Sequence, residues 1–212
     1  IAAEDTRHSA RLMQHFGINT PLAACHEHNE REQGSHFIAR LQAGGDVALI
    51  SDAGTPLISD PGYHLVRNAR AAGIRVVPVP GPSALIAALS AAGLPSDRFI
   101  FEGFLPAKTA GRRARLEEVK EEPRTLIFYE APHRILECLE DMELVFGGER
   151  MALLARELTK QFEEVTTLPA QALTAWLDGS PQRSRGEFVV LLHPVPVVSD
   201  AGDSHRVLRL LL

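Results

Sequence analysis

The sequence has few features of small disulfide-bonded proteins, zinc ribbons or membrane proteins. Only two of its 212 residues are cysteines, Cys25 and Cys138, and neither lies in a CxxC or CxxH motif. This excludes a disulfide framework, a zinc ribbon and a CxxC redox pair, and it is typical of a reducing compartment, so we expect a cytoplasmic protein. The most apolar stretch, residues 186–198, contains Glu187, His193 and two prolines. We therefore interpret it as a strand and expect no contact with a membrane.

Phosphate-binding motifs and an excess of positive charge are also missing. The chain contains neither GxGxxG nor GxxxxGK[ST], so a nucleoside ligand without phosphates is favoured over a nucleotide polyphosphate. Its 22 Lys and Arg residues against 27 Asp and Glu residues give a formal net charge of -5. Contact with nucleic acid would therefore have to come from a local basic patch. The 45% hydrophobic and 23% charged residues are typical of a globular protein.

Strand, loop and helix patterns alternate along the chain. In the first half, a helix around Phe37 ends at Gly44 and Gly45, and it is followed by strand 47–50, helix 63–72, strand 74–80 and helix 84–92. In the second half, the strand patterns cover residues 98–104, 125–130, 151–157, 162–168 and 187–192. Between them, helices are predicted in the charged stretch after residue 105 and over residues 133–146 and 170–177.

This order predicts an α/β protein with two domains. We expect an N-terminal domain with a parallel sheet over residues 1–97 and a C-terminal domain with a mixed sheet over residues 98–193. Residues 194–212 are interpreted as a tail. The opening residues resemble the end of a strand, so we expect a further N-terminal segment to precede residue 1.

Two glycine-bearing loops follow predicted strands of the first domain. They are SDAGTPLISDPG, residues 51–62, and VPVPGPSA, residues 77–84. Because loops at the carboxyl ends of neighbouring parallel strands meet at one edge of the sheet, we expect them to converge on one ligand. Ordinary strand-to-helix turns are the alternative.

Other strand ends carry polar side chains. FYEAPHR (128–134) and ARELTK (155–160) cluster charged groups where α/β proteins place their sites, although surface salt bridges give the same pattern. At the start of the chain, Asp5 or Thr6 is a candidate N-cap, which leaves Glu4 free for chemistry.

Two further patterns have equally plain alternatives. His26 and His28 have the spacing of a pair of metal ligands, but no third ligand is evident, and we expect no metal. The basic stretch from Lys108 to Arg115 predicts either a solvated helix face or a contact with phosphate.

Six motifs in order resemble the tetrapyrrole-methylase-like family of class III methyltransferases. They are AAEDTRH, SDAGTPLISDPGYHLV, VPVPGPSA, AAGLPSDRFIFEGFLPAK, FYEAPHR and RELTK, and the resemblance extends from residue 1 to about residue 193. It implies two α/β domains with a cleft between them for S-adenosyl-L-methionine. The motifs are most similar to those of members that methylate the ribose 2′-oxygen of a cytidine in the decoding centre of 16S rRNA. The resemblance also implies a homodimer that acts on the small ribosomal subunit. Two departures are a missing first strand, with its Pro-Ile-Gly-Asn turn, and a different sequence after Pro194.

The resemblance also implies roles for individual residues. The implied cofactor contacts are Ala53, Gly54, Thr55, Ile58, Ser83, Ala84, Glu130 and Leu158. The candidates for proton transfer are Glu4, which aligns with a carboxylate that some relatives use as proton acceptor, and also Asp5, Glu157 and Lys160. The candidates for contact with RNA are Arg7, Lys108, Arg112, Arg113, His133 and Arg134, with Lys160 as a further one.

Two other functions remain open at this point. A methyltransferase of the same fold that acts on a small molecule such as a tetrapyrrole would leave the basic stretch without a ligand. A non-catalytic module that binds the ribosome would need no intact cofactor site.

Overall fold

A computed structural model describes residues 1–26 and 29–195, and it confirms the α/β fold. The chain divides into two compact units, of which the first is Ile1–Ala87 and the second begins at Ala88. The sequence-based boundary at residues 97 and 98 remains a proposal. Among the described residues, no helix is both long and apolar enough to span a membrane.

The first unit is built on a three-stranded parallel sheet in the order β2-β1-β3. Its elements in chain order are β1 (Ala2–Ala3), α1 (Thr6–His15), β2 (Ala23–Ala24), α2 (Glu30–Gln42), β3 (Leu49–Ile50), α3 (Tyr63–Ala71) and α4 (Ala84–Ala92), whose last residues belong to the second unit. The central strand consists of two fully buried alanines, so the neighbouring elements pack closely on it. Ala2 shares a small core with Cys25, Phe37 and Leu65.

A buried carboxylate connects two helices of this unit. Glu30 is 4% exposed at the start of α2, and its Oε1 accepts a 2.9 Å hydrogen bond from the backbone N–H of Leu65 in α3. That N–H lies in the first turn of α3, where it has no partner within its own helix. The contact therefore satisfies a buried polar group on each helix.

The predicted strand over residues 74–80 is wrong, because the structure has no strand there. Val77 and Val79 are 61% and 82% exposed. The prolines at positions 78 and 80 have no N–H to donate to a neighbouring strand. An apolar sequence therefore forms an exposed, extended segment without a β-ladder.

The second unit contains a mixed sheet, as the sequence predicts, and its five strands lie in the order β4-β5-β8-β6-β7. Its elements are β4 (Phe99–Phe104), α5 (Thr109–Glu118), β5 (Thr125–Glu130), α6 (Ile135–Phe146), β6 (Met151–Arg156), β7 (Glu164–Pro169), α7 (Ala170–Asp178) and β8 (Phe188–Leu192). Only β4 and β5 pair in parallel, and β8 lies antiparallel between β5 and β6.

The core of this unit lies between the sheet and α5, α6 and α7. It contains Leu116, Leu126, Phe128, Leu139 and Leu173, each at most 1% exposed. The end of β5 at Glu130 is paired with the start of β8, which is paired in turn with the end of β6. This register brings the predicted polar clusters after β5 and β6 to one edge of the sheet. The predicted tail lies outside the described residues from residue 196 onward.

Candidate functional site

Two carboxylates lie at the carboxyl edge of the sheet in the first unit. Glu4 follows β1 and Asp52 follows β3, and these strands pair in parallel, so their ends meet. Glu4 Oε2 accepts a 3.4 Å hydrogen bond from the Asp52 N–H, and Asp52 Oδ1 accepts one of 3.3 Å from the Asp5 N–H. These reciprocal bonds hold both carboxylates at the strand ends.

The loop after β3 has an unusual backbone. Gly54, Leu57, Ser59 and Gly62 all have positive φ, at 83°, 75°, 62° and 126°. Positive φ costs energy for a side chain such as leucine or serine, and it persists where surrounding contacts impose it. A Cβ on Gly62 would lie 2.6 Å from Cδ2 of Leu49 in β3. Only glycine therefore lets the loop return to α3 so close to the strand.

The two glycine-bearing loops meet, as the sequence predicts. Thr55 Oγ1 donates a 2.8 Å hydrogen bond to the carbonyl of Pro82, next to Ser83 and Ala84 at the start of α4. The Ile58 N–H donates to the carbonyl of Thr55 at 3.3 Å. The implied cofactor contacts of this unit thus lie on two connected loops, and four of them have exposed positions, namely Ala53, Gly54, Ile58 and Ala84.

Asp5 caps α1, the structural role that its position allowed. Its Oδ1 accepts hydrogen bonds from the backbone N–H groups of Arg7 at 2.8 Å and His8 at 3.3 Å. The Arg7 guanidinium also pairs with Asp5 at 3.2 Å. Hydrogen bonds from Arg7 lower the pKa of Asp5 below its usual value. The capping hydrogen bonds explain why an aspartate lies at this position, and the lowered pKa makes its carboxylate a weak proton acceptor.

In the second unit, Glu130 forms a buried ion pair at the end of β5. Glu130 is 2% exposed, and Arg134 lies 3.2 Å from its carboxylate. The same guanidinium donates a 2.6 Å hydrogen bond to the carbonyl of Leu105. The loops after β4 and β5 are therefore joined by Arg134, which leaves it less available for RNA than the sequence predicts.

Lys160 is held between two carboxylates. Its Nζ lies 2.8 Å from Glu157 and 2.9 Å from Glu187. Partial burial lowers the pKa of Lys160, but the hydrogen bonds to both carboxylates outweigh this, and the net pKa is raised. The hydrogen bond from Lys160 likewise lowers the pKa of Glu157. Lys160 is therefore a cation at neutral pH and no proton acceptor.

The loop that carries these groups is strained and closely packed. Glu157 and Thr159, on either side of Leu158, have φ values of 51° and 65°. Gly186, itself at φ 97°, lies so close to the Glu157 side chain that a Cβ there would overlap it. Such strain persists where contacts over-determine the backbone, and it clusters at functional sites.

The predicted RNA contact of Arg112 is contradicted by its burial. Arg112 is 1% exposed, and its Nε donates a 2.5 Å hydrogen bond to Asp141, to which Arg113 also donates at 2.6 Å. A helix-face pattern explains the burial, because Leu116 and Val119 follow Arg112 at spacings of four and three and are also buried. Arg112 is therefore a core residue and belongs neither to a phosphate contact nor to a solvated face.

Other predicted cations are exposed. Lys108, directly before α5, and His133, directly before Arg134, both have exposed side chains. Arg113 is 49% exposed despite its pairing.

The ion-pair and hydrogen-bond partners of these groups were not predicted from the sequence. Asp52, Asp141 and Glu187 were not among the predicted site residues. For Asp52 the signal was available, since it lies inside the loop motif SDAGTP. The described residues contain no cluster of three or more histidine, cysteine or acidic side chains that could bind a metal. His28 lies outside the described residues.

The sequence is similar to those of known proteins. The family profile of Tetrapyrrole (Corrin/Porphyrin) Methylases matches residues 1–174. A protein of Pseudomonas aeruginosa called ribosomal RNA small subunit methyltransferase I is 70% identical over 216 residues, which is 100% of this chain and 77% of the relative. A protein of the same name from Haemophilus influenzae is 56% identical, over 96% of this chain and 71% of the relative.

Solved structures of low sequence identity share the fold. A diphthine synthase has a TM-score of 0.67 at 14% identity and covers 91% of this chain and 78% of its own. A uroporphyrin-III-C-methyltransferase from Thermus thermophilus has a TM-score of 0.56 at 22% identity, with coverages of 82% and 74%. The profile match and the high identity to full-chain relatives lead to one conclusion: the chain belongs to the tetrapyrrole (corrin/porphyrin) methylase family.

Proposed function

We propose that the chain is an S-adenosyl-L-methionine-dependent methyltransferase of small-subunit ribosomal RNA. The observation that carries this proposal is the 70% identity, over the whole chain, to a relative with that name. We further propose the ribose 2′-oxygen of a cytidine in the decoding centre as the acceptor, on the strength of the motif resemblance. A ribosomal substrate also implies a cytoplasmic enzyme.

The loops of the first unit suit a nucleoside cofactor. The backbone at Ala53 and Gly54 is exposed beside the carboxyl end of β3, with no lysine or arginine in the SDAGTP motif. A glycine at φ 83° lets a ligand approach the backbone closely. A loop with an exposed backbone and no cationic side chain fits adenosine and its sulfonium side chain better than a polyphosphate. The proposed contacts in this unit are Ala53, Gly54, Thr55, Ile58, Ser83 and Ala84, and in the second unit Glu130 and Leu158.

The chemistry needs alignment and a proton acceptor. S-adenosyl-L-methionine supplies an electrophilic methyl group on its sulfonium sulfur. Rigid positioning of the reacting groups contributes up to about 7 to 11 kcal/mol to such a reaction. As the new oxygen–carbon bond forms and the sulfur–carbon bond breaks, the proton of the 2′-hydroxyl must move to a base. We assign that role to Glu4, whose carboxylate is held at the sheet edge by the Asp52 N–H.

Two of the other three candidates, Asp5 and Lys160, suit different roles. Asp5 is engaged as a helix cap with a lowered pKa. Lys160, with its raised pKa, suits the stabilisation of negative charge on the acceptor oxygen or on a neighbouring phosphate. Because two carboxylates already hold the Lys160 ammonium group in place, it needs little reorganisation during the reaction.

Contact with RNA is proposed for exposed basic side chains. Lys108, His133, Arg113 and Arg7 are exposed, whereas Arg134 contributes mainly by joining two loops. Because the whole chain has a net charge of -5, an assembled subunit, which offers shape as well as charge, suits it better than free RNA. The 2′-hydroxyl is the group that distinguishes RNA from DNA.

The decisive experiment follows a labelled methyl group. The protein is incubated with unmethylated small ribosomal subunits and methyl-labelled S-adenosyl-L-methionine, and the label is mapped by nuclease digestion. We expect label on the 2′-oxygen of a decoding-centre cytidine. Label on a base, or transfer to a tetrapyrrole but not to RNA, would overturn the substrate. Light scattering tests the homodimer that the resemblance implies.

Glu4→Gln tests the proposed base, because glutamine can still accept the Asp52 hydrogen bond but cannot take up a proton at neutral pH. We expect kcat to fall by about 10² to 10⁴, the usual range for a general base, with cofactor affinity unchanged. Glu32→Gln, an exposed carboxylate on α2, is the matched control. Equal kcat values for the two variants would remove Glu4 from the mechanism.

A further inference from the structure

An irregularity in β4 determines which way an aromatic side chain points. In the pairing with β5, Phe101 lies opposite Ile127, but Gly103 lies opposite Phe128, so one residue of β4 has no partner. Such a bulge is rare between parallel strands. Gly103 has a φ of 66°, which glycine adopts without strain.

The bulge brings two phenylalanines to the same face. In a regular strand Phe101 and Phe104 would point to opposite faces, because side chains alternate. After the extra residue, Phe104 lies opposite Tyr129. The Phe101 and Phe104 rings lie 4.8 Å and 5.7 Å from the Tyr129 ring, both edge-to-face. We call these three rings the aromatic ledge.

The ledge presents an aromatic side chain to solvent. Phe104 is 51% exposed, although Leu105, the next residue, is only 3% exposed. A buried Phe104 would release apolar surface from water, so its outward position has an energetic cost. Its edge-to-face neighbour fixes the ring, and a fixed, exposed ring is a suitable surface for stacking.

Two exposed basic residues follow the ledge residues in the sequence. Lys108 follows Phe104 by four residues and His133 follows Tyr129 by four, and both side chains are exposed. The two loops that carry them are joined by the 2.6 Å hydrogen bond from Arg134 to the Leu105 carbonyl. Aromatic rings that stack on bases, beside cations that contact the backbone, are the usual means of binding unpaired nucleic acid.

We propose that the aromatic ledge stacks on an unpaired nucleobase of the RNA substrate, with Phe104 as the stacking ring. This inference rests on the proposed function and adds to it the recognition of a base that has left its helical stack. The adenine of the methyl donor has the same stacking chemistry, so the test must distinguish the two sources.

The test compares Phe104→Leu with Phe104→Tyr in the full chain. Leucine keeps an apolar side chain but removes the π-face, whereas tyrosine keeps the ring. Phe16→Leu is the matched control, because Phe16 is a comparably exposed phenylalanine, at 65%, in the first unit. Two quantities are measured for each protein, namely KM for unmethylated small subunits and Kd for S-adenosyl-L-methionine by calorimetry.

We expect Phe104→Leu to raise KM for subunits by roughly fivefold or more, which corresponds to removal of one base–aromatic stack. Phe104→Tyr and Phe16→Leu should stay within about twofold of the parent protein. A change in cofactor Kd alone would assign the ledge to adenine, and no change in either quantity would exclude stacking; both results overturn the proposal. If the parent protein labels no RNA, the proposed function itself fails, and the cofactor Kd still reports on the ledge.

Discussion

Replacement of Arg112 by alanine should destabilise the second unit rather than weaken RNA binding. Asp141 is 3% exposed at its side chain and lies 2.5 Å from Arg112. Removing one partner of a buried ion pair costs about 3 to 5 kcal/mol, because the other charge remains in a medium of low polarity. Arg113 still pairs with Asp141 at 2.6 Å, so we expect about 3 kcal/mol for Arg112→Ala.

Urea unfolding measured by tryptophan fluorescence is the appropriate assay. The single tryptophan, Trp176, packs against the core of the second unit, so its signal reports on this unit. With an m-value of about 1 to 3 kcal/mol/M, a loss of about 3 kcal/mol lowers the midpoint by about 1 to 3 M. Arg113→Ala is the control, since Arg113 is half exposed, and it should cost about 1 kcal/mol or less.

A double variant separates ion-pair loss from packing loss. Arg112→Met combined with Asp141→Leu removes both charges and fills the site with apolar side chains. It should be more stable than Arg112→Ala, because no buried charge is left unpaired. If Arg112→Ala leaves the midpoint unchanged and raises KM for small subunits instead, the burial argument is refuted and the RNA contact is restored.

Three further predictions concern the helix cap Asp5, the loop residue Gly62 and the two cysteines. Asp5→Asn keeps the cap but removes the charge; because the pKa of Asp5 is lowered on folding, the charge stabilises the fold above about pH 4 and ceases to do so as the pH falls through the folded pKa. The thermal unfolding temperatures of the two proteins should therefore converge as the pH falls below about 4, and a constant difference would contradict this. Gly62→Ala should cost about 1 to 3 kcal/mol in urea unfolding, whereas Gly34→Ala, at a site inside α2 with no neighbour for the new Cβ, should stabilise the fold by up to about 1 kcal/mol; equal effects would argue against the loop geometry. Burial raises the pKa of the Cys25 thiol to about 11 and also raises that of Cys138, so an aromatic disulfide reagent at about pH 8 should label neither until urea is added, and rapid labelling of the folded chain would disprove the burial.

Helices and buried strands were predictable where hydrophobic pattern and burial agree. β5 was predicted with its correct bounds because an apolar run lies between prolines at positions 123 and 132. The segment 74–80 was mispredicted because its valines have strand propensity, although tertiary structure leaves Val77 and Val79 exposed. Propensity describes a side chain, whereas a strand also needs a neighbour that accepts its hydrogen bonds.

The loops of the candidate site were predictable from the sequence, but the ion pairs between its side chains were not. Glycine after a strand indicated the loop at Gly54, and the two loops meet through Thr55 and Pro82 as predicted, although the segment before the second loop is not a strand. The pairing of Lys160 with Glu187 depends on residues 27 positions apart, which no local pattern connects. The bulge at Gly103 was likewise invisible, because register is set by the partner strand.

The distribution of ion pairs decides which cations are available to RNA. Within the described part of the chain, Arg112 and Arg134 are committed to buried carboxylates and Lys160 to two partly exposed ones. Lys108 and His133 have exposed side chains, and each follows a residue of the aromatic ledge by four positions in the sequence. Removing a single cation that binds phosphate reduces the slope of log affinity against log salt by about one. Lys108→Gln should therefore reduce the salt dependence of binding to small subunits by about one, whereas Phe104→Leu should weaken binding and leave that slope unchanged; if the two variants changed the slope equally, charge and stacking would not be separate contributions.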